Sequence, residues 1–291
     1  MADNHDFAME RRLKLLDPEL HRRFTDGVFA LQYNLSNYKL IFPEYSDHTN
    51  LHSMTVIDFC NQLIGDQIER LNANELYTLL MGCYFHDTGM GITMKDFEAF
   101  SREIHFGNYF DTHSRDNLPA VIRDFHNEFS GLFIRKYAPL FEIPSQAHLR
   151  AIIQISRGHR KTDLLDEAEY PLALAMPDGT AVCLPYLSAL IRLADEIDVA
   201  ATRNPILLYD IETLTDEIEI EINKEIKAVT ALEVSKEAFT LFVGASDETV
   251  LRGVRRVADK MQRTLDYCRS AVMERTPYVI TQEQVIVREI T

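Results

Sequence analysis

The chain has 291 residues, 46% of them hydrophobic, which is enough apolar side chain for at least one sizeable core, and its 11 glycines and 10 prolines are too few for a low-complexity or collagen-like protein. Against 45 Asp+Glu there are 30 Lys+Arg, and the formal net charge of −15 argues against non-specific binding to nucleic acid or to an anionic membrane. A polyanionic ligand would therefore need a local positive centre.

The opening MADNHDFAMERRLK is charged throughout and lacks the apolar stretch of a secretory signal, so the mature chain is expected to begin near Met1. Between Asp47 and Ile64, behind Pro43, Val56, Phe59, Cys60 and Leu63 recur at helical spacing. A second helix is expected from about Asn74 to Phe85, stopping at Gly89 and Gly91; its apolar run is far shorter than the ~20 residues that span a bilayer. Thr93 to Leu118 shows no clear period and reads as an inserted loop with short helical pieces. Pro119 opens a helix through Tyr137, and Pro144 precedes another from Ser145 to Arg157. Pro177-Asp178-Gly179 stands between two short apolar runs, which is hairpin chemistry, and a helix from Leu187 to Val199 follows.

After Arg203-Asn204-Pro205 the composition shifts. Ile218 to Ile222 alternates like a strand, but Ile218, Ile222 and Ile226 keep helical spacing, and a helix is expected there. VTALEVS and FTLFVG read as two paired strands joined at Lys236-Glu237. A long helix from Asp247 to Met273 carries Val250, Val254, Val257, Met261, Leu265, Cys268 and Val272 on one stripe, which is expected to pack on those strands. Cys60, Cys83, Cys183 and Cys268 lie far apart with no CxxC pair, as expected of free thiols in a reducing cytoplasm. The fold class that follows is mainly α: a helical bundle with a small β-hairpin over residues 1–205, and an appended α+β subdomain over 206–291.

Polar residues on apolar helix faces are the informative feature, because burying an unpaired polar group is costly and burying a charge more so. His52 shares a face with Val56 and Phe59, and Asp87 follows Leu80 and Cys83 with His86 beside it. His126 lies one turn from Ile122, and His159 follows Ile152 and Ile155. Asp195 stands between Ile191 and Val199, which turns its carboxylate inward and leaves Glu196 to reach solvent. Any one of these histidines is ordinarily a core residue bonded to a carbonyl. Taken together, imidazoles and carboxylates converging inside a helical domain form the ligand set of a divalent metal site. Asp87 is then placed to bridge two metals, with His52, His86 and Asp195 on one and His126 and His159 on the other.

These residues stand in the order H…HD…H…H…D, in the contexts LHSMTV, CYFHDTGM, FHNEFSG, SRGHR and LIRLADEIDV. In this the chain resembles the HD-domain metal-dependent phosphohydrolases of the binuclear kind, and the preceding PEYSDHTNLH is similar to the HD enzymes associated with bacterial conflict systems. The resemblance implies a helical fold, two divalent ions (Mn, Fe, Mg or Zn), and hydrolysis of a phosphate ester, often in a nucleotide. One departure narrows the substrate. HD enzymes that hydrolyse cyclic dinucleotides typically carry a lysine shortly after HD, where this chain has Met90.

Around this set, His48 lies one helical turn before His52 and is a candidate for contact with substrate or leaving group; with Asp87 it completes the candidate catalytic pair. Arg157, Arg160 and Lys161 cluster about His159 and, with Arg203, are the candidate phosphate contacts, although a solvated helix end explains them too. The basic side of the last helix (Arg252, Arg255, Arg256, Lys260, Arg263, Arg269) is expected to pair within the molecule or across a homodimer, not on nucleic acid. A di-iron oxygenase and a ligand-binding module without turnover are the alternatives to a hydrolase. The expected partner is a small phosphorylated molecule, and the expected location is the cytoplasm.

Overall fold

The computed structural model describes residues 7–35, 50–199, 227–244 and 247–290. Among them are nine α-helices, a two-stranded hairpin and a three-stranded sheet. Two amino-terminal helices, α1 (Ala8–Leu16) and α2 (Pro18–Leu35), are joined at Asp17, whose carboxylate accepts from the Glu19 and Leu20 amides, and Met9 and Leu13 are fully buried. Their charged composition concealed this narrow apolar edge.

Then come α3 (Asn50–Ile64) and α4 (Ala73–Phe85). Asn72 and Glu75 form a reciprocal capping box that starts α4. Nearly every α4 side chain is buried, so it is the central helix, flanked by α1, α2, α3 and the later α7. The expected loop after it contains a true helix, α5 (Met94–Phe100), capped by Thr93. Helices α6 (Leu118–Tyr137) and α7 (Gln146–Gly158) follow within a residue of their expected starts. The hairpin pairs β1 (Leu174–Ala175) with β2 (Ala181–Val182), and Gly179 supplies the positive φ of 86° its turn requires. Helix α8 (Leu184–Glu196) begins one turn earlier than its sequence suggests, with Pro185 in its first turn.

The carboxy-terminal elements are β3 (Val229–Val234), β4 (Ala238–Val243), α9 (Glu248–Arg275) and β5 (Gln284–Glu289). The strands β3 and β4 form the expected antiparallel pair, while β5, absent from the sequence reading, adds parallel to β4 through the α9 crossover. The apolar stripe of α9 corrects another expectation: it packs chiefly on α8 and on β5, with Met261, Leu265 and Cys268 fully buried. Tyr278 stacks on Tyr186 at 4.1 Å between ring centroids, and the Arg275 guanidinium donates to the Leu164 carbonyl at 2.6 Å. One hydrophobic core thus runs from α1 to β5. No described helix is long and apolar enough to cross a membrane. His48, Arg203, the segment 218–226 and the boundary at 205 lie outside the described residues.

Candidate metal centre

Five helices bring the six expected residues into one buried cluster. His52 comes from the second residue pair of α3, His86 caps the carboxyl end of α4, and Asp87 starts the tight turn Thr88–Gly91. His126 lies mid-way along α6, His159 caps α7, and Asp195 is in the last turn of α8. Gly89 explains how α6 comes so close to the His-Asp turn: a Cβ at that position would stand 2.2 Å from the His126 carbonyl oxygen. The Ser130 hydroxyl locks the contact, donating to the His86 carbonyl at 2.6 Å and accepting from the Gly89 amide at 2.8 Å. Gly158 plays the same part between α7 and α8, where a Cβ would meet Ser188 Cβ at 2.5 Å.

The donor atoms fall into two groups that share Asp87. In the first, His52 Nε2 lies 3.1 Å from His86 Nε2, 3.4 Å from Asp87 Oδ2 and 3.2 Å from Asp195 Oδ1. In the second, His126 Nε2 lies 2.8 Å from His159 Nε2 and 3.2 Å from Asp87 Oδ1. One Asp87 oxygen therefore faces each group. Donors bound about 2.0–2.2 Å from a common cation stand roughly 3–3.6 Å apart, and the separations here, from 2.8 to 3.9 Å, bracket that spacing.

Hydrogen bonding fixes the tautomers that ligation requires. Nδ1 of His86 is 2.8 Å from the Cys83 carbonyl, that of His126 is 2.7 Å from the Arg123 carbonyl, and that of His159 is 2.5 Å from the Ser156 carbonyl. A carbonyl oxygen can only accept, so each Nδ1 carries the hydrogen and each Nε2 presents a lone pair. Three of the four rings use the same device, the carbonyl three residues back on their own helix. His52 instead donates from Nδ1 to Asp198 Oδ2 at 2.6 Å. Facing Nε2 lone pairs with no proton between them repel, and a cation converts that repulsion into ligation. The donor set fits divalent metal. Burial, then the neighbouring imidazoles of His126 and His86, holds the His159 ring well below the usual imidazole range, which favours the neutral form a metal needs.

Sequence reasoning missed two supporting residues. Asp198 follows Asp195 at the i+3 spacing that keeps both on one side of a helix end, a signal present in DEID. Arg192, a charge inside the apolar run of α8, is buried, and its guanidinium donates to the carbonyls of Gly158, Arg160 and Thr162. It thereby braces the turn that carries His159. The Tyr267 ring of α9 lies under Arg192, at 5.1 Å from guanidinium carbon to centroid, and its hydroxyl accepts from the Leu164 amide at 2.7 Å.

The candidate phosphate contacts separate. Arg160 lies behind His126, on the Nδ1 side of its ring, with Nη1 donating to the Arg123 carbonyl at 3.0 Å and lying 3.3 Å from His126 Nδ1. Arg157 is not brought there: its guanidinium is engaged by Glu128, Glu169 and Gln154, and its stem lies against Gly131. Arg157 and Lys161 instead line a cavity of about 630 Å³ on the opposite face of α6 from His126. Glu196 corrects a further expectation, since it does not extend into solvent: it is largely buried, pairs with Lys260 of α9 at 3.0 Å, and has its carboxyl pushed up by burial against the pull of that lysine. Of the other basic residues of α9, Arg255 pairs with Glu248 and Glu289, and Arg269 with Glu283.

No curated protein and no solved structure matches the chain. The HD-CE family model matches residues 42–272, a span that contains all six converging residues and α9 up to Val272. With the ordered His, His-Asp, His, His, Asp set folded into one HD-type centre within that match, the chain belongs to the HD-CE family.

Proposed function

We propose that the protein is a metal-dependent phosphohydrolase that cleaves a phosphate ester of a nucleotide or a related small molecule. The observation that carries this reading is Asp87, whose two carboxylate oxygens face two separate histidine groups. His52, His86 and Asp195 with Asp87 Oδ2 would hold one divalent cation, and His126 and His159 with Asp87 Oδ1 the other. When bound, such a pair lowers the pKa of a shared water towards neutrality and neutralises charge on a phosphoryl oxygen.

The chain's own residues supply the rest. Burial of the histidines and Asp87 keeps bulk water from these donors, and the carbonyl and Asp198 contacts keep each imidazole aimed. Arg160 backs the His126 ring on its Nδ1 side and is the proposed phosphate contact, and Arg157 supports the α6–α7 crossing from behind. His48 and Arg203 join the proposal on sequence grounds, as contacts to the leaving group and the phosphate. Met90, buried after the HD pair, makes a cyclic dinucleotide the less suitable substrate.

The test is metal analysis of purified protein, followed by a nucleotide and phosphoester panel with Mn, Mg, Fe, Co and Zn. Phosphate release that depends on metal and is abolished in Asp87→Ala supports the reading. Iron-loaded protein that consumes oxygen and releases no phosphate with any metal overturns it.

A further inference from the structure

The six candidate ligands are not equally covered. The side chains of His52, His86 and His159 are fully buried, Asp87 and His126 are nearly so, and Asp195 alone is 23% exposed. Among the described residues, Asp195 is thus the candidate ligand nearest to solvent. The next residue in the chain, Glu196, holds the Lys260 ammonium at 3.0 Å, and this lysine is 65% exposed. Its backbone is fixed, because Met261 and Leu265 beside it are fully buried in the contact between α9 and α8. Tyr267 and Arg275, further along α9, bind the 163–164 turn that follows His159. The carboxy-terminal helix is thus clamped to the two segments carrying Asp195 and His159, with the exposed Lys260 ammonium next to the residue that follows Asp195.

Charge gives that cation a purpose. Glu196 and Asp198 stand beside the candidate ligands Asp87 and Asp195 in a chain of net charge −15, so a cation at the rim favours the entry of an anion. The exposed lysine end of this pair is screened by water, and a phosphate, with more negative charge than one carboxylate, competes for it. We propose that Lys260 is a substrate-contacting residue, exchanging Glu196 for the phosphate of the incoming ester, so that the carboxy-terminal helix contributes to the active site. The assignment rests on the phosphohydrolase reading above.

The probe is inorganic phosphate, titrated calorimetrically into the full-length, metal-loaded protein, with metal content measured in parallel. Lys260→Gln is expected to weaken phosphate binding about tenfold with metal content unchanged, and Lys260→Arg to restore most of it. Glu196→Gln is expected to tighten phosphate binding, because it releases the lysine. A merely structural ion pair predicts instead that breaking it from either side acts in the same direction. Equal effects of Lys260→Gln and Glu196→Gln, or unchanged affinity in Lys260→Gln, overturn the role of Lys260 while leaving the phosphohydrolase reading in place. Wild-type protein that is metal-loaded yet binds no phosphate overturns both.

Discussion

Removing the carboxylate of Asp198 is expected to weaken one metal site and spare the other. His52 and Asp198 meet at 2.6 Å with both side chains buried, so water does not replace the acceptor when it is removed. A carboxylate on the far nitrogen raises the basicity of a ligating imidazole and fixes its rotation, and losing such a partner costs roughly 10- to 100-fold in metal affinity, or about 1.4–2.7 kcal/mol. Asp198→Ala also leaves the His52 Nδ1–H unsatisfied in the interior, which costs a further ~1–3 kcal/mol of folding stability. Asp198→Asn keeps an oxygen acceptor without the charge, so it should retain most of the stability and still lose affinity. The second group takes its orientation from the Arg123 and Ser156 carbonyls and has no contact with Asp198. A two-site titration of metal-free protein with Mn or Zn, read by competition with a chromophoric chelator, should therefore show one weakened step and one unchanged. Equal weakening of both steps in Asp198→Asn, or no weakening in either, refutes the argument that this carboxylate tunes His52.

Asp87→Ala takes an oxygen from each group at once, so plasma emission should find both metals depleted; a variant keeping one metal at full affinity would exclude the bridge. Gly89→Ala forces a Cβ to 2.2 Å from the His126 carbonyl, and the backbone shift should cost at least ~2 kcal/mol in a denaturant titration, with metal weakened too; a stability loss within error would contradict the close approach. Burial lowers the pKa of His148, which lies between Ser145 and Asn74. Its folded pKa is below its unfolded one, so the unfolded state binds the extra proton, and stability is full above the unfolded pKa of about 6.5 and falls as pH drops towards the folded value. Denaturant midpoints from pH 8 to 5 should show a slope reduced by up to ~1.4 kcal/mol per pH unit in His148→Gln, and an unchanged slope would refute the assignment.

Helical periodicity sufficed for α3, α4, α6, α7 and α9, because an amphipathic face is written in consecutive residues and is buried by whatever neighbour covers it. The same periodicity exposed the six ligands, since a histidine or aspartate on an apolar face is an exception visible without knowing its partner. What needed the tertiary structure was pairing at long range. Asp198 lies 146 residues from His52, and no local pattern says that the two meet. The strand β5 is specified by a parallel neighbour across a 28-residue helix, so its short alternation carries little weight alone. Arg157 and Arg160 look alike in SRGHRK, yet one is taken up by Glu128 and Glu169 and the other lies beside His126, because Arg157 is still on α7 while Arg160 lies in the turn past its end. Glu196 reads as a solvated neighbour of Asp195 until α9 covers it, and Lys260 as one basic residue of a long helix until α8 lies beside it. Local sequence determined which residues are exceptional, and only the packing of α9 on α8 decided that Lys260 meets Glu196 beside Asp195.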